Sequence, residues 1–536
     1  MVEIRNLSKV FIDKKLFQDV NLKFTEGNTY GIIGANGAGK STFLKIIAGE
    51  IEPTSGEVFI EKNQRISVLE QDHFKYNDQN VTELVIMGNK ELSKIQEEKN
   101  NIYMNPNATE KDYAKAAELE ELFGQMGGWN AENDAQALLS ALDIPKEKFS
   151  YQMKDLKSTE KVKVLLAKAL FGNPDILIMD EPTNHLDLKS IRWLINFINE
   201  YEKIVIVVSH DSDFLDEICT NIVDIDFNKA KMFTGNYSFW KQSSQLMAEL
   251  QKQSNLKKQE QIEKLQAFIA RFSANASKSK QATSRKKALE KIQLDEIIPS
   301  TRKYPFIRFE INKNPGKQIL EVEKLGYKDS NGVQLFDNIS FTLKPGDKLA
   351  VIGDDDIAKT KFLEILVGKE KKFTGSFKWG STIKVEYFPS DNSEYFREDI
   401  PMIDWLRLWP LDNETEEAKD ISDQRMRAFL GKMLFSGDSV FKDVQKLSGG
   451  EKARLMFSRM MLRDSNTLIF DQPLDHLDTE SIDAVIEAIN KYNSIVIFTT
   501  YNRALIRESN VILEIKNDSS FIFRGTLDEY EEKMGY

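Results

Sequence analysis

The run NTYGIIGANGAGKSTFL, residues 28–44, decides the fold. Apolar TYGII reads as a buried strand and FLKIIAG as the helix that follows it, with GANGAGKST, Gly34 to Thr42, between them. Gly34, Gly37 and Gly39 let the backbone N–H groups around Asn36 turn toward phosphate oxygens, and the helix N-terminus adds a partial positive charge. Lys40 would reach the β- and γ-phosphates, and Ser41, with Thr42 behind it, would bind Mg²⁺. The strand–loop–helix context distinguishes this P-loop from a chance glycine-rich turn, and it makes the fold class α/β with ATP and Mg²⁺ as the implied ligands.

Two later stretches complete the same chemistry. ILIMDEPTNHLD, residues 176–187, is an apolar strand ending in two carboxylates. Asp180 suits the Mg²⁺ shell and Glu181 the general base that polarises an attacking water. Read without the P-loop, they are solvated carboxylates at a strand end. A further strand, IVIVVSH, delivers His210 to the carboxyl edge of the sheet, where phosphoryl-transfer groups gather. A lone histidine is most often structural; in this order, after this strand, His210 reads as a γ-phosphate contact.

The whole pattern occurs twice. DKLAVIGDDDIAKTKFL at 347–363 repeats the opening run, with Gly353 lying 319 positions after Gly34. Glu451, Gln472 and Tyr501 each lie 291 positions after Glu160, Glu181 and His210, so the first copy carries 28 residues that the second lacks. Gln71 and Ser390 keep the larger offset, which places the excess between Gln71 and Leu156. That interval holds a polar, helix-patterned stretch broken at Asn105-Pro106, a helical hairpin arm. Between the copies, SSQLMAELQKQSNLKKQEQIEKLQAFIARF has neither Gly nor Pro and keeps apolar residues at helical spacing. After a short polar run a second helix ends at Pro299. The expected organisation is two cassette domains, 1–88 with 136–240 and 306–536, an arm at 89–135, and an α-helical hairpin linker at 241–305.

Composition sets outer limits. The 536 residues exceed one hydrophobic core, and the net charge of −11 argues against wholesale coating by nucleic acid. The single cysteine, Cys219, leaves no internal disulfide and no cysteine-based metal cluster, which favours a reducing cytoplasm. The N-terminus lacks a signal-peptide pattern, and no stretch approaches the ~20 apolar residues of a membrane helix. No membrane and no DNA partner is expected.

The order of motifs resembles the ATP-binding cassette superfamily across both halves. That resemblance implies that Gln71, in SVLEQDHF, is the Q-loop glutamine near Mg²⁺, that Phe11 stacks on adenine, and that LSGGE at Leu447–Glu451 is the diagnostic signature. Phe11 taken alone reads equally as a core residue. Members of the superfamily pair two cassettes head to tail, each ATP lying between one P-loop and the other cassette's signature. The first composite site then takes Lys40, Gln71, Asp180, Glu181 and His210 from copy one with Ser448, Gly449, Gly450 and Glu451 from copy two, all intact.

Every change falls on the second site. Asp356 and Ala358 replace P-loop glycines, and Asp354, Asp355 and Asp356 bring carboxylates to where anions sit. A like-charge contact near 4 Å costs roughly 4 kcal/mol at an effective dielectric of 20. Lys359 and Thr360 persist, which leaves room for residual binding, while Ser390, Gln472 and Tyr501 replace the Q-loop glutamine, the base and the switch histidine. The facing signature has become LKSTE, Leu156 to Glu160. One hydrolytic site, and one that at most holds nucleotide, is the expectation.

Fused cassettes with an arm and a long helical linker resemble the ABC-F family of ribosome-associated translation factors. The linker text, PFIRFE at 305–310 and the arm's GNKELSKIQEEKNNIY are similar to its YbiT-like branch. The resemblance implies a monomer with intramolecular cassette pairing that binds the ribosome's E-site region and directs its linker toward the P-site tRNA. The basic run Arg271, Lys278, Lys280, Arg285, Lys286 and Lys287, opposed within 271–291 only by Glu290, fits contact with rRNA or tRNA. Two other classes stand beside this reading: the fused energising ATPase of a transporter, and a scaffold that binds ATP without turnover.

Overall fold

The computed structural model describes all residues except 12–13, 73–74, 273–283, 285–301, 303, 312, 410–422, 464, 517–518 and 536. Each copy of the repeat builds a six-stranded sheet and a three-stranded antiparallel sheet. In copy one the larger sheet runs Ile66–Val68, Ile176–Asp180, Ile204–Val208, Asn28–Gly34, Asn221–Asp226 and Lys229–Thr234. All neighbours are parallel except the last pair. The strand Ile204–Val208 is buried at every position, as expected of a parallel strand covered on both faces. Copy two repeats this order with Val385–Phe388, Thr467–Asp471, Ile495–Thr499, Lys348–Ile352, Val511–Glu514 and Phe521–Arg524.

The register brings the chemistry to one edge. Ile32 and Asp180 both pair with Val208, so the loop after Gly34, the Asp180-Glu181 pair and Ser209-His210 leave the sheet side by side. No contact between distant loops is needed to assemble these groups; adjacent parallel strands end together.

The arm is a pair of helices, Lys90–Met104 and Glu110–Gln125, joined at Asn105-Pro106. Thr109 and Asp112 form a reciprocal capping box on the second helix. Lys99 closes the base of the arm, its ammonium 4.3 Å from the Phe123 ring and 4.7 Å from the Trp129 ring. The linker opens as one helix, Tyr237–Phe272, which begins shortly after the last strand of copy one, Lys229–Thr234. At 1.5 Å per residue it spans roughly 54 Å. Arg271 lies on its last turn. Lys278, Lys280, Arg285, Lys286 and Lys287 lie outside the described residues.

The cassettes meet across a charged seam. Arg192 donates to Glu217 at 2.7 Å and to Glu531 at 2.8 Å, and buried Arg503 reaches the same two carboxylates from the other cassette. Arg507 joins Asp213 at 2.6 Å. Where the chain returns from the linker, Arg302 bonds Asp224 of copy one at 2.6 Å and Glu480 of copy two at 3.2 Å, over the Trp240 ring.

Candidate active site

In copy one the loop between strand and helix remains a loop. Gly37 and Gly39 sit at φ 75° and 102°, a region that L side chains rarely adopt, and the helix Lys40–Ile47 begins only after them. The buried Lys40 ammonium is turned back onto the carbonyls of Gly34, at 2.7 Å, and Ala35, at 3.4 Å. Burial lowers its proton affinity, and the carboxylate of Glu181 opposes that shift. Asn36 is exposed in the loop, and Ser41 and Thr42 follow Lys40 in the first helical turn.

Glu181 stands at φ 53°, a left-handed backbone that costs on the order of 1–3 kcal/mol for a non-glycine residue. Its backbone N–H donates to Val208 O at 2.8 Å, and its Oε2 accepts from the His210 backbone N–H at 3.2 Å. The buried Oε1 has no hydrogen-bond partner; His210 Nε2 lies 3.5 Å away. Burial pushes the Glu181 carboxyl up to about 8, and neighbouring Asp180 adds to the shift. Burial also holds His210 neutral, its pKa lowered to about 3. Asp180 is raised by burial and relieved by a hydrogen bond with Ser41. Gln71 Nε2 reaches the Asp180 carbonyl at 3.3 Å. Phe11 is half exposed, with Lys9 Nζ 4.9 Å from its ring centroid.

These residues fit a magnesium nucleotide. The donor set of Ser41 hydroxyl and Asp180 carboxylate is all oxygen, as Mg²⁺ prefers, and leaves positions for phosphate oxygens and water. The orphaned Oε1 and the glycine loop mark where a triphosphate and a water would be received. Bound there, Mg²⁺ would neutralise charge on the phosphates.

Copy two approaches this site through Thr479, and its signature motif opens a capped helix. Ser448 caps the helix Gly449–Leu462, accepting from Glu451 N while Glu451 Oε2 accepts from Ser448 N at 2.8 Å. A Cβ at Gly450 would stand 2.8 Å from the carbonyl of His476, so the second signature glycine is needed for close packing. Across the interface His210 Nδ1 meets Thr479 Oγ1 at 2.6 Å. Thr479 escaped the sequence reading, although the repeat carries a signal: its counterpart in copy one is Leu188, just as the counterpart of His210 is Tyr501.

The second composite site differs in backbone as well as side chains. Its helix starts at Asp356, where copy one still has Gly37, and Asp355 caps it by accepting from Ala358 N at 3.1 Å. The stretch that stays an open glycine loop in copy one is here the first turn of a helix. Asp356 Oδ1 accepts from Tyr501 OH at 2.6 Å and lies 3.0 Å from Lys359 Nζ, while Oδ2 is 3.9 Å from His185. Gln472 Nε2 stands 3.5 Å from Oδ1. Thr360 and Ser390 donate to Asp471 Oδ2 at 2.7 and 2.9 Å, and Thr499 to its Oδ1 at 2.6 Å. From copy one, Lys157 Nζ pairs with Asp355 Oδ2 at 2.9 Å and Thr159 Oγ1 donates to Asp354 O at 3.1 Å.

Repulsion, which the sequence suggested for all three aspartates, persists at Asp354, whose carboxyl is raised by burial and by Asp187, but not at Asp356. The Lys359 ammonium beside Asp356 and the Tyr501 hydroxyl hold its carboxyl below the usual range despite burial. LKSTE is likewise more than an eroded signature, because two of its replaced residues bind the opposing loop.

The chain matches the profile of the family described as ABC transporter at residues 17–184 and 336–475, and a related extension profile at 223–309. It is 48% identical to the uncharacterized ABC transporter ATP-binding protein YkpA of Bacillus subtilis (strain 168), over 99% of this chain and 97% of that protein. Over the full length of both chains it is 40% identical to the probable ATP-binding protein YbiT of Escherichia coli O157:H7. ABC transporter F family member 2 of Arabidopsis thaliana is 32% identical over 99% of this chain and 79% of its own. In fold it is similar to an archaeal ribosome recycling factor solved with a ribosomal stalk protein, at TM-score 0.61 and 17% identity, covering 99% of this chain and 92% of that one. No described helix is long and apolar enough to cross a membrane. Two fused cassettes, full-length likeness to these relatives and the paired P-loop machinery place this chain in the ABC-F family of ATP-binding cassette ATPases.

Proposed function

We propose that the chain is a ribosome-associated translation factor of the cytoplasm, acting as a monomer, that hydrolyses ATP at the first composite site alone. The observation that carries the assignment of the site is Glu181 Oε1, a buried carboxylate oxygen without a hydrogen-bond partner beside a glycine loop and a neutral histidine. Lys40, Ser448, Gly449 and Gly450 hold the triphosphate, Ser41, Gln71 and Asp180 serve Mg²⁺, and Phe11 stacks on adenine. Ionised Glu181 takes the proton of the attacking water, and His210 contacts the γ-phosphate with its ring oriented by Thr479. Such general-base assistance contributes about 10²–10⁴ in rate.

The ribosomal role rests on family membership and on the basic run of the linker. ATP binding closes the first site, the linker is directed to the P-site tRNA from the E-site region, and hydrolysis releases the protein. Arg302 joins linker, copy one and copy two next to Thr479, which gives the site a direct physical connection to the linker. The test is sedimentation of tagged Glu181→Gln protein with Mg-ATP. Retention on ribosomes with loss of turnover is the expected result. Association with membranes would favour a transporter subunit, and a negligible ATPase that the substitution leaves unchanged would favour a non-hydrolysing scaffold.

A further inference from the structure

The second composite site keeps a small cavity lined by Gly353, Asp354, Lys359 and Tyr501, but its charged groups are paired as in a built interface. Each group that corresponds to a phosphate or Mg²⁺ ligand of copy one is engaged by protein. Lys359, the counterpart of Lys40, faces Asp356 instead of a loop carbonyl. Tyr501, the counterpart of His210, donates to the same carboxylate. Thr360 and Ser390, the counterparts of Ser41 and Gln71, both donate to Asp471. The loop that would present N–H groups to an anion is wound into a helix capped by Asp355.

The opposing cassette completes the arrangement. Lys157 and Thr159 bind the Asp355 carboxylate and the Asp354 carbonyl, and His185 approaches Asp356 and packs edge-on to Tyr501 at 5.9 Å. Leu188, the counterpart of polar Thr479, is buried within the apolar core of copy two. Loss of a nucleotide site by drift would leave orphaned groups on both faces. Here the substitutions on the two cassettes meet one another.

We infer that the second site is a nucleotide-independent docking interface between the cassettes, in which the Asp356 carboxylate stands where a nucleotide phosphate would and keeps this side closed while the first site opens and shuts. It extends the proposed function, resting on the reading that the first site takes ATP. A clamp of this kind swings about a fixed edge, so one ATP moves the whole pair.

Hydrogen–deuterium exchange on the full-length protein tests this without disturbing it. In the absence of nucleotide, segments 157–160 and 354–360 should exchange more slowly than 34–42 and 447–451, by about tenfold. Addition of Mg-ATP should protect 34–42 and 447–451 and leave 157–160 and 354–360 unchanged. Comparable new protection on both sides would overturn the interface. Failure of Mg-ATP to protect 34–42 would instead overturn the assignment of the first site, while the nucleotide-free comparison still judges the second. Asp356→Ala should raise exchange at both 157–160 and 354–360; unaltered exchange there would show that the carboxylate does not hold the interface.

Discussion

The two composite sites share a strand order but differ in the backbone of the loop after the first strand and in what their buried charges have found. At the first, Glu181 keeps an oxygen without a hydrogen-bond partner and Lys40 is folded onto its own loop carbonyls. At the second, Lys359, Asp356, Tyr501, Thr360, Ser390 and Asp471 bond to one another. Yet the strained left-handed residue persists in both, at φ 53° for Glu181 and 50° for Gln472. The strained strand-end turn has been kept at both sites; a buried carboxyl oxygen without a hydrogen-bond partner belongs to the first. Buried polar groups left unpaired cost about 1–3 kcal/mol each, so a site that retains them keeps a driving force for ligand, and one that has paired them does not.

The sharpest way to break this contrast is to exchange its central residues. Glu181→Gln should lower kcat by about 10²–10⁴, whereas Gln472→Glu should leave turnover within a factor of about two, because the base would face a helix instead of a phosphate cradle. Steady-state ATPase assays decide it; restored double turnover in Gln472→Glu would show that only the base was missing.

A second measurement uses proton affinity. On the proposed mechanism the ionised form of Glu181 is the active one, and its carboxyl is raised to about 8. kcat/KM, which reports groups of the free enzyme, should therefore rise about tenfold per pH unit below that value and level above it. An inflection near the ordinary carboxylate range would mean that Glu181 is already ionised before nucleotide arrives.

The smallest effect concerns the rim of the second site. Lys157 is 45% exposed in its pair with Asp355, and exposed pairs contribute about 0.2–1 kcal/mol. Lys157→Ala should lower unfolding stability by no more than that and leave ATP turnover unchanged. A loss of turnover would show that the second site communicates with the first through this ion pair.

Much of the first site was legible in the sequence because its parts are short, contiguous and tied to strand ends. A glycine loop before Lys40, two carboxylates after ILIM and a histidine after IVIVVS need only parallel neighbours to converge, and the register of these strands supplies them. Head-to-tail pairing came from family resemblance, not from any periodicity. Thr479 was missed because its partner His210 lies far away in the chain and on the other cassette. At the second site, counting lost glycines and added aspartates treats every new carboxylate as a cost, whereas Asp356 and Asp355 find counter-charges on Lys359 and Lys157 that lie elsewhere in the fold.

The sequence by itself determined the duplicated α/β cassette and the paired helices of the arm, since these follow from local pattern and repeat. Only the tertiary structure decided that Asp355 and Asp356 turn a phosphate loop into a capped helix, and that LKSTE grips it from the opposite cassette. The physical reason is that a charge in a sequence is only a potential cost or gain; which it becomes depends on the partner that folding places within hydrogen-bond reach.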